Sequence, residues 1–226
     1  FTVNGSSAAV QNCTNQVKIS VKTNNANSVG GIIGSADSPV IINCSNEADL
    51  SGNTVGGITV ASVSNEIEIT NCANSGDITA STVAGGIIPT GYGGSIKGCW
   101  NSGEIKCLNE TKGAGGIIYE VSFLSKSSIN ISDCYNTGQV TGIKYSGGIV
   151  GYMKGKTGFS LNIDRVYSSG SVLLGGDAAT GNCGMIVGYV ENSAALNNAI
   201  YLNNGLSAYN EKTQGIVTME NTFSKT

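Results

Sequence analysis

Five cysteines, Cys13, Cys44, Cys72, Cys99 and Cys134, recur at steps of 31, 28, 27 and 35 residues, and Cys107 and Cys183 stand outside that series. Thiols ligate metals, pair as disulfides or act as nucleophiles, and each chemistry needs its own neighbours. These spacings contain no Cys-x-x-Cys knuckle, and the chain has no histidine. A mixed zinc site, Cys-His catalysis and a Ser-His-Asp triad are therefore all excluded within this chain. The carboxylates fare no better. Asp49, Asp77 and Glu104, with Gln139, share one position five residues after a series cysteine, which describes a solvated stripe and not the isolated acid/base pair of a glycosidase. A pectate-type lyase would need a cationic base and clustered calcium-binding carboxylates. The sole arginine, Arg165, follows Asp164 and aligns with Asp133, which predicts an exposed ion pair. No catalytic residue, metal or cofactor is expected. The remaining chemistry is recognition by rings: the position after the series cysteine reads Thr14, Ser45, Ala73, Trp100, Tyr135, Tyr167, and Tyr119 and Phe159 lie nearby in sequence. Stacked aromatics there would either stabilise a corner or offer a platform to a sugar or a partner protein.

The elements that position these residues follow from self-similarity. The series continues through Val166 and Ala199. Three residues before each member stands an aliphatic residue (Val10, Ile41, Ile69, Ile96, Ile131, Ile163, Leu196), and six after the first six stands another (Ile19, Leu50, Ile78, Ile105, Val140, Val172). A glycine pair then recurs at Gly30-Gly31, Gly56-Gly57, Gly85-Gly86, Gly115-Gly116 and Gly147-Gly148, degraded to Gly184-Met185, each followed by isoleucine. A period near thirty is too short for an independent core, so units must share one by stacking. Each unit offers three apolar segments separated by turn residues, which predicts an all-β, right-handed parallel β-helix with about three short strands per coil and about seven coils. Residues 1–202 would form the solenoid and 203–226 a C-terminal cap.

The repeated residue types acquire roles in that frame. Cys13, Cys44, Cys72, Cys99 and Cys134 form a ladder of packed free thiols, because stacked equivalents point the same way and do not converge as a disulfide requires. Cys107 points inward and Cys183, in an insertion, outward. The asparagine two residues after the cysteine (Asn15, Asn46, Asn74, Asn101, Asn136, then Ser168) forms an amide ladder at a corner, where left-handed angles are tolerated. The glycine pairs mark corners that a β-carbon would block. Insertions at 107–114, 119–128, 152–160 and 174–183 become surface loops.

Composition agrees. With 33 glycines and only two prolines among 226 residues, and 40% hydrophobic against 12% charged, the chain suits short strands with a buried core. A net charge of −3 with twelve scattered Lys and Arg gives no basic stripe for nucleic acid. No apolar run reaches the roughly 18 residues of a spanning helix, so no direct membrane insertion is expected. Phe1-Thr2-Val3-Asn4-Gly5 lacks signal-peptide character, and the chain reads as a piece of a larger polypeptide.

Gly147-Gly148-Ile149-Val150-Gly151-Tyr152 and Cys134-Tyr135-Asn136-Thr137-Gly138-Gln139-Val140 resemble the GLUG repeat, whose units read approximately Gly-Gly-Leu-Val-Gly-Tyr and Asn-Cys-Tyr-Ala-Thr-Gly-x-Val. The likeness runs over roughly residues 8–202 and is strongest from 130 to 190. Segments of this kind occur in large secreted or cell-surface bacterial proteins, including adhesin-like proteins and non-catalytic parts of some immunoglobulin-cleaving metalloproteases. The resemblance implies an extracellular or cell-surface location and a structural or adhesive module, with a glycan or a host or cell-surface protein as partner. A carbohydrate-binding module is the alternative, and a polysaccharide lyase or hydrolase a more distant one. Trp100, Tyr135, Tyr167, Tyr119 and Phe159 are the candidate binding residues.

Overall fold

A computed structural model describes residues 2–3, 9–21, 27–61, 66–122, 128–154, 161–176, 180–191, 193–202, 206–209, 216–220 and 222–225. Among them every strand pairing is parallel and there is no helix, and equivalent strands stack as a β-solenoid. The aliphatic segment before each series cysteine builds the first side, an eight-stranded sheet from Ala9–Gln11 through Ile129–Ser132 to Ile216–Glu220. Its register sets Val10, Ile41, Ile69, Ile96, Ile131, Ile163 and Leu196 in one inward row. Alternation along a strand places every second side chain inside, and Ile41 to Leu196 are at most 1% exposed.

The chain then bends by a device that sequence alignment had placed three residues too late. The residue immediately before the series position, Asn12, Asn43, Asn71, Gly98, Asp133, Arg165 or Asn198, has φ between 50° and 64° in every repeat. This left-handed conformation costs most residues about 1 kcal/mol, and asparagine, aspartate and glycine tolerate it best. After the bend come the two- and three-residue strands of the second side, Thr14–Asn15 to Phe223–Lys225. Their second residue points inward, so the asparagines of the ladder are strand residues and not left-handed corners, Asn15 at the open end half-buried and Asn46, Asn74, Asn101 and Asn136 fully buried.

The third side has two limbs. They are continuous in Leu50–Gly56 and Ile78–Gly85 and separated elsewhere, as in Ile105–Cys107 and Gly113–Gly115, where the insertion at 108–112 intervenes. A second core of Leu50, Ile78, Ile105, Val140, Ala84 and Cys107 fills the angle between the limbs. The fourth side consists of two sheets, one of Thr2–Val3, Ile33–Ala36 and Thr59–Ala61 and one running from Ile88–Gly91 to Val187–Val190. A repeat such as 94–122 thus carries five strand segments where three were expected: the short second-side strand lies between bends, and the glycine pair divides one apolar run between two sides. The expected cap, 203–226, contributes Ile216–Glu220 and Phe223–Lys225, which continue the first and second sides in register.

The ladders explain the glycine pairs. Each asparagine amide donates to the side-chain carbonyl of its equivalent in the next coil, at 2.7 Å from Asn15 through Asn46, Asn74 and Asn101 to Asn136, and also to the backbone carbonyl two residues on. The second glycine of a pair lies against this amide: a β-carbon on Gly116 would stand 2.5 Å from Asn136 Cγ. The row ends at Ser168, whose hydroxyl is buried without a partner. All seven cysteines are free, and Cys44, Cys72, Cys99, Cys134 and Cys107 are buried. Cys13 departs from the expected buried ladder. It is exposed, because among the described residues no strand stacks on its open side.

Three outcomes follow from these rows. Cys44, Cys72, Cys99, Cys107 and Cys134 are all shut away from solvent, and burial further raises the Cys44 and Cys107 thiols to about 11, so at pH 8 a thiol reagent should label Cys13 at once and leave those five until denaturant is added; native labelling at Cys99 would contradict the core assignment. Asn101→Ala strands the Asn74 amide and the Asn136 carbonyl, and should cost about 3 kcal/mol in urea denaturation. Ser168→Asn should extend the ladder and gain about 1 kcal/mol, and an Asn101→Ala cost within ~0.5 kcal/mol would show the ladder to be incidental.

Candidate functional site

The outward position of the second side is the surface with most chemical character. Its register reads Thr14, Ser45, Ala73, Trp100, Tyr135, Tyr167, Ile200 and Phe223. Three small residues give way to five large apolar ones on consecutive coils. Trp100 and Tyr135 are stacked, with ring centroids 5.7 Å apart and planes within 3°. Tyr135 and Tyr167 are 39% and 37% exposed and Phe223 is 61% exposed, so the row meets solvent.

Beside it runs the left-handed corner. Arg165 holds Asp133 with both ends of its fork, Nε to Oδ1 at 2.6 Å and Nη2 to Oδ2 at 3.0 Å, while its Nη1 donates to Asp164. Asn198 Nδ2 donates to the other Asp164 oxygen at 2.7 Å. Rings and corner together line a shallow groove of about 390 Å³ bounded by Asp133, Tyr135, Arg165, Tyr167, Asn198 and Ile200. The expected Asp133–Arg165 pair therefore forms, and it extends to Asp164. The Arg165 guanidinium holds the Asp133 carboxyl below its ordinary range. Neither carboxylate has a free geometry for acid/base work, since the polar ends satisfy one another.

The acidic stripe also has a structural account. Asp49 and Asp77 each accept the backbone N–H of the stripe residue one coil on, at 3.3 and 2.8 Å, and Gln139 donates to Glu104 at 3.2 Å. Lys18 pairs with Asp49 at 3.4 Å. A larger depression of about 660 Å³ on the first side is lined by Glu66, Glu68 and serines and contains no aromatic residue. Among the described residues no three His, Cys, Asp or Glu converge as a metal site.

The five predicted binding residues do not gather. Trp100, Tyr135 and Tyr167 share the row. Phe159 lies outside the described residues. Tyr119 is a correction: it is fully buried on the fourth side, where its hydroxyl has no partner and burial raises its pKa far above the ordinary tyrosine range. It supports a second aromatic cluster that sequence reasoning missed. Tyr145 and Tyr152 stack at 4.5 Å, Tyr189 lies 5.7 and 6.0 Å from them, and the Tyr152 hydroxyl donates to the Glu191 carboxylate. The signal was the repeated Gly-Tyr ending of Gly151-Tyr152 and Gly188-Tyr189. Rings this close leave no space between them, so the cluster fills a corner between the third and fourth sides. Ile200 and Phe223 were also missed: Ile200 follows the series member Ala199 but is not a ring, and Phe223 lies beyond the last member of the series.

No family model, curated protein or solved structure matches this chain.

Because a depressed carboxyl contributes stability above its unfolded pKa and loses it as pH falls through the folded value, the Asp133–Arg165 contribution should vanish in acid. Arg165→Gln should lower Tm slightly at pH 7, and its deficit should close as calorimetric melts descend below about pH 3.9. A deficit that persists unchanged to pH 2.5 would place the role of Arg165 elsewhere.

Proposed function

We propose that this chain is a non-catalytic structural or adhesive module of a bacterial secreted or cell-surface protein, a GLUG-type array of about seven right-handed coils that makes its contacts through the outward row of the second side. The observation that carries the reading is the run Trp100, Tyr135, Tyr167, Ile200 and Phe223 on consecutive strands, in which Tyr135, Tyr167 and Phe223 are exposed and Trp100 and Ile200 half-buried. A scaffold gains nothing in solubility from large apolar residues outside, and such strips mark interaction surfaces. Within the row, Trp100 and Tyr135 turn their faces toward each other, so that pair presents ring edges to solvent. A protein partner accepts edges; a sugar ring prefers an open face.

The carbohydrate-binding reading retains support from the groove, where Asp133, Arg165, Asn198 and the tyrosine hydroxyls could hydrogen-bond a glycan at the border of the rings. Lyase or hydrolase activity draws little support, since Arg165 is engaged by Asp133 and Asp164 and the acidic stripe by backbone amides.

The test is binding of the chain to a panel of host and bacterial surface proteins in parallel with a glycan array, repeated with Trp100→Ser/Tyr135→Ser/Tyr167→Ser. Protein binding lost at least tenfold in the triple variant, with Tm nearly unchanged, is the expected result. Binding confined to glycans would replace the first reading by the second, and binding indifferent to the triple substitution would remove the row from either.

A further inference from the structure

The two ends of the solenoid show core residues that every interior coil hides. At the first end Ala9, Val10, Cys13, Ile32 and Ile33 line an apolar recess of about 550 Å³. At the other, Met219 continues the row of Ile41, Ile69, Ile96, Ile131, Ile163 and Leu196, which are at most 1% exposed, yet Met219 is 51% exposed. Phe223, the last member of the outward row, is 61% exposed against 39% and 37% for Tyr135 and Tyr167 in that row, as an edge without a further strand requires. Uncovered core rows at strand edges are templates for further pairing.

The lattice restricts what can pair there. All strands are parallel, so the edge at Ala9–Gln11 and the edge at Ile216–Glu220 differ in hydrogen-bonding phase and complement each other but not themselves. A first-end edge placed on a second-end edge repeats the step that joins any two coils inside the chain: Met219 would pack on Val10 and Phe223 on Thr14. Thr2–Val3 pairs parallel with Ile33–Ala36 by the same one-coil step and is, with Ala9–Gln11 and Thr14–Asn15, an edge strand of the first end. A single extended peptide would cover one side only. Covering the recess together with both edges takes a whole coil with this repeat's apolar spacing, and the second end of another copy supplies one.

We infer that the chain associates with itself head to tail, the Ile216–Glu220 and Phe223–Lys225 end of one copy stacking on the Ala9–Gln11 and Thr14–Asn15 end of the next. The contact continues the coil-to-coil interface and does not rest on the aromatic row as a recognition surface. It is heterologous and has no closing rotation built in, so it generates an open series of oligomers and not a dimer alone.

The test uses the whole chain in sedimentation velocity from about 1 to 300 μM, a range that spans weak protein association. Cys13→Glu blocks the first end: Cys13 is exposed in the single chain, so the charge is solvated there and buried only on stacking. Met219→Glu blocks the second end on the same reasoning. Wild-type protein should show a concentration-dependent series, each variant alone should weaken association at least tenfold, and an equimolar mixture of the two should form dimers and nothing larger, because only one good end of each remains. Cys13 in the wild type should lose reactivity toward thiol reagents in step with association. A monomer across the range, as would arise if other segments cover these ends, overturns the inference, as do oligomers insensitive to both substitutions or a mixture that stays monomeric. Far-UV circular dichroism of each variant separates a blocked end from a lost fold.

Discussion

Parallel, in-register stacking at about 4.8 Å is the constraint from which the rest of this molecule follows. Each side chain stands directly over its own equivalent, so a position can hold only a residue type compatible with a copy of itself. Aliphatic residues and thiols satisfy this by packing, which is why the Ile41–Leu196 row and the Cys44–Cys134 row are dry. Asparagine satisfies it by being donor and acceptor at once: one amide serves the coil ahead, its carbonyl serves the coil behind, and the second amide hydrogen reaches the local backbone. Aspartate cannot do this with itself. Asp49, Asp77 and Glu104 remain stackable because they face solvent and because two of them accept backbone N–H groups from the following coil.

Magnitudes decide which of these rows dominates. Burying an isoleucine side chain contributes about 3 kcal/mol, whereas a satisfied amide hydrogen bond contributes about 1 kcal/mol net. The aliphatic rows therefore supply most of the stability. The amide ladder matters in a different way, since an unmatched buried amide costs about as much as a lost core methyl pair and a register slip would unmatch several at once. The ladder thus specifies register while the core supplies energy. Where Ser168 ends the ladder, Met185 replaces the second glycine and Val166 and Ala199 replace the cysteine, so the coils beyond are held by packing with less enforcement of register.

The fold was legible in the sequence to the degree that rows are homogeneous. Val10 to Leu196, the glycine pairs and the asparagines repeat in type as well as spacing, and the structure sets them in the rows their alignment implied. What escaped was fixed by three-dimensional context. The left-handed corner did leave a trace, since Asn12, Asn43, Asn71, Asp133 and Asn198 are types that favour it, but Gly98 and Arg165 break the row and the more uniform asparagine two residues after the cysteine drew the corner to itself. Two cores in place of one depend on how the third side bends. The exposure of Cys13 depends on its being at an end and not on its type. Tyr119 was grouped with the surface rings because a tyrosine beside an insertion suggests a loop, yet it lies over Gly151, where the absence of a β-carbon makes room for its ring.

The same constraint locates where recognition is able to arise. Inward positions are committed to packing, and the corner before the cysteine is committed to a backbone angle. The outward position of the second side is bound by neither, and it is there that composition changes along the array, from Thr14, Ser45 and Ala73 to Trp100, Tyr135, Tyr167, Ile200 and Phe223. If stacking stability alone governed this position, aromatics would serve every coil equally, since each ring gains a neighbour on both sides. The first three coils forgo that gain. Polar-to-aromatic change at a position free of internal duties is what selection for an external contact would leave, and the mixed-charge corner of Asp133, Arg165 and Asn198 beside only the later coils marks the same stretch of the rod.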